Sequence, residues 1–163
     1  MKFLPSILLV LLMMSSVVSA AEKLLVYVDA ATDEDDWPSK ALEDSATDIR
    51  KKIKGKIWTV TEDAEKADMT ITVTNRYVAG TGEIAIRNDL LLGPVASENE
   101  AMQVEAIVSL RGGKTKAFRS DKNCVWGTCA WPQAWRPAAD ALRKQIEDWA
   151  KEHHERILAL RNQ

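Results

Sequence analysis

The chain has 163 residues, of which 46% are hydrophobic and 28% are charged, and its formal net charge is −2. This balance predicts one packed domain and excludes a disordered chain. The weakly acidic charge and the presence of only two cysteines argue against a nucleic-acid-binding protein and against a small scaffold held by several disulfides.

Residues 1–20 have the features of a secretory signal peptide. Lys2 is their one charged residue, an apolar run follows at 7–14, and Val18-Ser19-Ala20 supplies small residues before a cleavage site. The run is too short to span a membrane, which takes about 20 apolar residues. We expect cleavage after Ala20 or one residue later, a single mature domain over 21–163 without a transmembrane segment, and export to the periplasm or the medium.

The first elements of the mature chain predict a β-α-β unit. Lys23–Asp29 is apolar at successive positions, as in an interior strand, and Lys56–Val60 is a second strand. Between them, Pro38–Lys54 has apolar residues at three- and four-residue spacing, which predicts a helix. The two strands should be parallel with a right-handed crossover, and we expect the remaining strands to be antiparallel.

Asp68–Thr74 predicts a half-buried strand with one solvent-facing side, because apolar residues alternate with threonines. Beyond it, the sequence predicts a turn at Gly80 and Gly82, a short strand at Glu83–Asn88 and a loop at Leu90–Pro94.

Ala101–Arg111 fits two structures. Ser97–Glu100 could form a capping box that opens a helix, but the apolar residues that follow alternate with a period of two, which favours a strand. Gly112-Gly113 predicts a hairpin turn, and Lys114–Arg119 is then the returning strand. Its lysines are typical of an edge strand that avoids unwanted pairing.

Trp135–Leu160 predicts a long amphipathic helix, because its apolar residues form one stripe and its other face is charged. The stripe consists of Trp135, Ala138, Leu142, Ile146, Trp149, His153, Ile157 and Leu160. Such a helix must dock on another apolar surface. The element order β-α-β-β-β-β-α therefore predicts an α+β, two-layer sandwich, with a mixed sheet of four to six strands and both helices on one face.

Cys124 and Cys129 are separated by four residues. In an exported protein the expected state is a disulfide, which here would close a six-residue ring. Free thiols or a chemical role remain alternatives. A redox motif would have two intervening residues, and no further metal ligand lies nearby in the sequence.

Three of the six tryptophans, Trp126, Trp131 and Trp135, flank or follow this cysteine pair. Trp126 and Trp131 are candidates for an aromatic surface that binds a glycan, a peptide or a partner protein. Packing over the disulfide is the alternative for both residues. We favour packing for Trp135, which lies on the helix stripe.

No catalytic residue, metal site or cofactor is predicted. The acidic turn formed by Asp29 and residues 33–36 lacks the spacing of a calcium loop and more simply complements the dipole of the following helix. His153 lies on the apolar stripe, which favours a buried, hydrogen-bonded histidine, and His154 points to the side. No nucleophile elbow, phosphate loop or HExxH motif occurs.

A helix ending in DIRKKIKGK followed by EKADMTITVTNR, a glycine hairpin and a Trp-containing terminal helix resembles a group of small exported bacterial proteins. This group is similar to the lipoprotein activators of penicillin-binding proteins, the curli-secretion lipoproteins and the amino-terminal domain of the Tol-system propeller protein. The matching residues are Ile49, Ile53, Ala67, Asp68, Ile71, Val73, Gly112, Gly113 and Trp149. The resemblance implies an adaptor, secretion or assembly role without catalytic residues, although this chain lacks a lipid-anchoring cysteine and has an added CVWGTC segment.

The function predicted from the sequence is an exported, non-enzymatic binding or adaptor module of the envelope, whose partner is an unidentified envelope protein or glycan. The expected binding surface joins the segment Trp126–Trp135 to the threonine side of Asp68–Thr74. A secreted inhibitor or effector is the first alternative, and an enzyme of unknown class is the second. The oligomeric state is left open by the sequence.

Overall fold

The computed structural model describes residues 22–32, 36–55, 57–89, 93–124 and 135–162. These residues form one mixed sheet and three α-helices, which confirms the predicted α+β class. In chain order the elements are β1 (Leu24–Ala30), α1 (Asp36–Lys52), β2 (Trp58–Val60), β3 (Met69–Asp89), β4 (Gly93–Leu110), β5 (Thr115–Cys124), α2 (Arg136–Glu152) and α3 (His154–Ala159), followed by a 3-10 turn over Leu160–Asn162.

Both long helices cover one face of the sheet. Alternate residues of the strands are buried on that face, and the apolar stripes of α1 and α2 pack against them. The largest fully buried side chains from the sheet are Leu24, Val26, Val28, Trp58, Met69, Ile71, Val73 and Val104, and those from the helices are Ile49, Leu142, Ile146 and Ile157. This arrangement confirms the two-layer sandwich.

The strand order is β2-β1-β3-β4-β5. β1 pairs in parallel with β2, as the β-α-β unit predicts, but it also pairs in parallel with β3. The expectation that all later strands are antiparallel is therefore wrong for β3. After β2 the chain returns to the starting end of β1 and enters on its other side, where the Asp68 N–H donates to the Leu25 carbonyl at 2.8 Å. The β3–β4 and β4–β5 pairs are antiparallel, as expected.

β3 and β4 form a hairpin much longer than the sequence predicts. They span 21 and 18 residues and pair from Met69 with Leu110 to Asp89 with Gly93. The turn expected at Gly80 and Gly82 is wrong, because the chain continues through a register shift between Gly80 and Ile84. Glu83–Asn88 is a strand, as predicted, but it is the continuation of β3. Glycines in a strand can mark such an irregularity instead of a reversal.

The loop expected at Leu90–Pro94 also needs correction, because β4 begins at Gly93 and Pro94 pairs with Asn88; residues 90–92 lie outside the described residues. β5 pairs with β4 only from Glu100 to Ser109 of β4, so at Pro94 β4 is an edge strand with one neighbour. A proline is tolerated there because no second strand requires its backbone N–H. The choice of a strand for Ala101–Arg111 is confirmed.

The predicted helix over Trp135–Leu160 is interrupted at His153, whose backbone has φ −110° and ψ 11°. The stripe is therefore divided between α2 and α3. Ile157 is buried on α3, and Leu160, in the 3-10 turn, lies against Gly112 of the β4–β5 turn. Among the described helices, none is long and apolar enough to cross a membrane.

Candidate functional site

The aromatic and cysteine residues singled out from the sequence fall largely outside the structure's described ranges. Trp126, Trp131 and Cys129 lie outside the described residues, and of Cys124 the structure describes only its place at the end of β5. The disulfide and the two tryptophan roles therefore stay predictions. Trp135 is 8% exposed and belongs to the core, as its packing interpretation predicts, with the Arg76 guanidinium 4.2 Å from the ring centroid.

The threonine side of β3 lies on the sheet face opposite the helices. Met69, Ile71 and Val73 are buried, whereas Thr70, Thr72 and Thr74 are half-buried, which confirms the predicted two-sided strand. The neighbouring strand contributes Ile107, which is 40% exposed.

A cleft lies on the helix side of the sheet, where the start of β5 meets the α2–α3 junction. Its volume is about 240 Å³. Leu110, Ile157 and Leu160 form its apolar floor, and Trp149 forms one wall. Lys114, Lys116 and Arg156 line it as well, and these seven side chains, together with Thr115 and His153, define what we call the basic cleft.

The two glycines of the β4–β5 turn bring this cleft together. Gly113 has φ 78°, a conformation that side chains disfavour, and its N–H donates to the Leu110 carbonyl at 2.8 Å. At Gly112, a Cβ atom would lie 3.2 Å from a Leu160 methyl group. The absence of a side chain at Gly112 lets Leu160 rest against the turn, which closes the end of the cleft.

An aromatic wall holds one of the cations in place. The Phe118 and Trp149 rings meet edge to face, with centroids 5.6 Å apart. The Lys116 Nζ lies 5.0 Å from the Phe118 centroid and 5.2 Å from the Trp149 centroid, within the range of cation–π attraction. Lys116 thus lies at the boundary between the apolar wall and solvent, where it can contact a ligand.

The positive charge of the cleft is uncompensated by the part of the chain that the structure describes, where Lys114, Lys116 and Arg156 form no ion pair with a carboxylate. On α2, Glu147 instead binds Arg143 at 2.6 Å and Lys151 at 2.8 Å. Burial opposes its ionisation, but the two hydrogen bonds outweigh burial and lower the pKa of Glu147.

His153 lies at the helix interruption and lines both the basic cleft and a more open cavity of about 500 Å³. It is half-buried, so the expectation of a buried histidine is wrong, whereas the expected hydrogen bond is present. Its Nδ1 lies 2.9 Å from the Trp149 carbonyl oxygen, and since a carbonyl only accepts, Nδ1 carries a proton and Nε2 is left for another contact. The His154 Nε2 contacts the Glu22 carbonyl oxygen at 2.9 Å.

A second polar cluster, centred on Asp68, is structural. The Asp68 side chain is fully buried and accepts hydrogen bonds from the Leu25 N–H at 2.7 Å and from Arg161, whose Nε lies 2.8 Å away. Arg161 also binds Glu22, and Arg111 donates to the Lys66 carbonyl at 2.8 Å. These contacts tie the end of the chain to β1 and to the start of β3, and they leave no open ligand position on the carboxylate.

No group of three or more His, Cys, Asp or Glu side chains suited to a metal ion occurs within the described ranges. Within these ranges the basic cleft combines three cationic side chains with an apolar lining. Sequence reasoning missed it because Trp149 and Arg156 lie more than 30 residues after Lys114 and Lys116 in the chain. The lysines of Lys114–Arg119 are its signal in the sequence, where the pattern is also typical of a protected edge strand.

No protein-family model matches the chain, and no curated protein matches it. Among solved structures, it is similar to a minor lipoprotein from Acinetobacter baumannii, with a TM-score of 0.44 and 13% identity over 80% of this chain and 93% of that one. It is also similar to the rare lipoprotein B from Shewanella oneidensis, with a TM-score of 0.35 and 16% identity over 83% of this chain and 87% of that one.

Proposed function

We propose that this protein is an exported, non-enzymatic binding module of the bacterial envelope, and that its basic cleft binds a ligand with a negative charge beside an apolar group. The observation that carries the proposal is the placement of Lys114, Lys116 and Arg156 around an aromatic and aliphatic floor. Apolar surface gains free energy on leaving water, whereas an anion needs cations to replace its hydration. The cleft supplies both.

The cleft can be tested with octyl phosphate, used below its micelle-forming concentration, as a probe that carries one anionic and one apolar end. We expect Lys116→Glu and Arg156→Glu each to weaken binding about tenfold or more, because a charge-assisted hydrogen bond contributes about 1.5–3 kcal/mol. Isothermal titration calorimetry measures this change. Octyl glucoside, which has no charge, should bind much more weakly than octyl phosphate.

Lys144→Glu is the matched control, since Lys144 is exposed on α2 and does not line the cleft. It makes the same change in net charge and should leave the affinity for octyl phosphate nearly unchanged. Equal weakening by Lys144→Glu and Lys116→Glu would show a general charge effect and would overturn the assignment of the cleft.

We also propose that Trp126 and Trp131 contribute a second contact surface. Support comes from the position of this segment, which follows directly after β5 and ends at the buried Trp135 where α2 begins. Both ends of the segment are thus anchored in the sandwich. An unidentified envelope protein or glycan remains the proposed partner, and Trp126→Ala with Trp131→Ala tests this surface once the partner is known.

Export itself is part of the proposal. We expect the native protein, purified from the periplasm or the medium, to begin after residue 20 or 21 and to have Cys124 and Cys129 joined in a disulfide. Intact-mass spectrometry before and after reduction measures both features in one experiment. A retained leader would contradict export by this route, and a mass unchanged by reduction would contradict the disulfide.

A further inference from the structure

β5 is the outer strand of the sheet, and its outer side has no strand partner among the residues that the structure describes. The Leu110 N–H donates to the Lys114 carbonyl at 2.8 Å, next to the paired residues Ser109 and Thr115. In an antiparallel pair, residues alternately direct their backbone groups toward the partner and away from it. This bond therefore fixes which β5 residues direct N–H and C=O groups outward: Thr115, Ala117, Arg119 and Asp121.

The side chains of β5 divide between the two faces. Ala117 pairs with the exposed Ile107 on the open face, whereas Lys116, Phe118 and Ser120 are on the helix side with the basic cleft. A further strand would lie about 4.8 Å outside β5. Its alternate side chains would then extend along Lys116 and toward the cleft.

The charge on this edge selects a partner. Between residues 114 and 122 there are four basic side chains and one acid, and the acid, Asp121, lies 3.6 Å from Arg119. Lys114, Lys116 and Lys122 have no carboxylate partner within the described part of the chain. Two copies of this edge would place like charges opposite each other, which disfavours self-pairing, whereas an acidic strand would be complementary.

We infer that the ligand of the basic cleft is an acidic, extended segment of a partner polypeptide, which adds to β5 as a sixth strand. The inference rests on the proposed function and goes further by naming the ligand class and its mode of binding. Backbone hydrogen bonds to the outward-facing residues would supply affinity, and glutamate or aspartate side chains near Lys116 and Lys122 would supply specificity.

A labelled peptide of alternating glutamate and valine serves as the probe, with fluorescence anisotropy as the measurement. In an added strand, only alternate N–H groups point toward β5. N-methylation of one alternate set of residues should therefore abolish binding, while N-methylation of the other set should leave it. Equal effects from the two sets, or equal binding by a peptide of alternating lysine and valine, would overturn the inference.

Ala117→Pro tests the same mode from the protein side. It removes an outward N–H but none of the bonds to β4, and proline is tolerated at such a position of an edge strand. We expect peptide binding to weaken about tenfold or more, through one lost hydrogen bond and the bulk of the ring facing the incoming strand. Ala117→Val, which keeps the N–H, is the control and should bind the peptide normally.

Octyl phosphate separates the two proposals. Ala117→Pro should still bind it, because Ala117 does not line the cleft. Two outcomes would show that the added strand is wrong while the cleft still binds octyl phosphate. In the first, the protein binds octyl phosphate but does not bind the peptide. In the second, the peptide binds Ala117→Pro and Ala117→Val with equal affinity. If neither probe binds, both proposals fail. If the circular-dichroism spectrum shows that Ala117→Pro is unfolded, the N-methylated peptides alone test whether the ligand adds to β5 as a strand.

Discussion

Asp68→Ala should reduce the free energy of unfolding by roughly 3–5 kcal/mol, the usual cost of removing one partner from a buried ion pair. The Asp68 side chain is completely shielded from solvent, and the substitution leaves the Arg161 guanidinium and the Leu25 N–H without their acceptor. Because these groups belong to β1 and to the end of the chain, the loss also loosens the contact between them. Urea unfolding at neutral pH measures the change.

Asp63→Ala is the matched control, because Asp63 also forms an ion pair, with Lys66 at 2.8 Å, but on the surface. Solvent and salt screen such a pair, so its loss should change stability little. A similar small effect at Asp68 would mean that the buried cluster does not hold the chain end in place.

The same carboxylate predicts how stability depends on pH. Burial opposes ionisation of Asp68, but hydrogen bonds from Arg161 and the Leu25 N–H outweigh burial and lower its pKa below the ordinary value of about 3.9. A lowered pKa in the folded state gives stability that is present above the unfolded pKa and is lost as the pH falls through the folded one. The stability difference between the wild type and Asp68→Asn should therefore shrink on acidification below about pH 5.

Local periodicity accounts for the parts of the fold that could be predicted. The alternation of Met69, Ile71 and Val73 with threonines fixed which side of β3 is buried, because a strand places successive side chains on opposite faces. The four-three-four spacing of Leu42, Ala46, Ile49 and Ile53 likewise fixed the buried side of α1. In these segments the local pattern and the tertiary packing agree.

The errors arise where a distant partner decides the structure. Gly80 looked like a turn, yet continuous pairing of β3 with β4 carries the chain past it. The apolar stripe predicts one helix through His153, yet the backbone of His153 leaves helical geometry, and Leu160 beyond it packs against Gly112. The basic cleft joins the start of β5 to these last helices, so local patterns alone could not place Lys116 beside Trp149.

Leu142→Ala should destabilise the protein by about 2–5 kcal/mol, through lost burial and the cavity left behind. Leu142 is completely buried on α2, in the layer where this helix packs on α1, β4 and β5. The same helix carries Trp149, a wall of the basic cleft. A weaker docking of α2 should therefore lower the melting temperature and, at temperatures near it, the affinity for octyl phosphate.

Leu142→Met, which nearly conserves the side-chain volume, is the control and should destabilise the protein by less than about 1.5 kcal/mol. If differential scanning calorimetry gave equal melting temperatures for Leu142→Ala and the wild type, α2 would not be held by this layer, and a cleft built on its position would lose its structural basis.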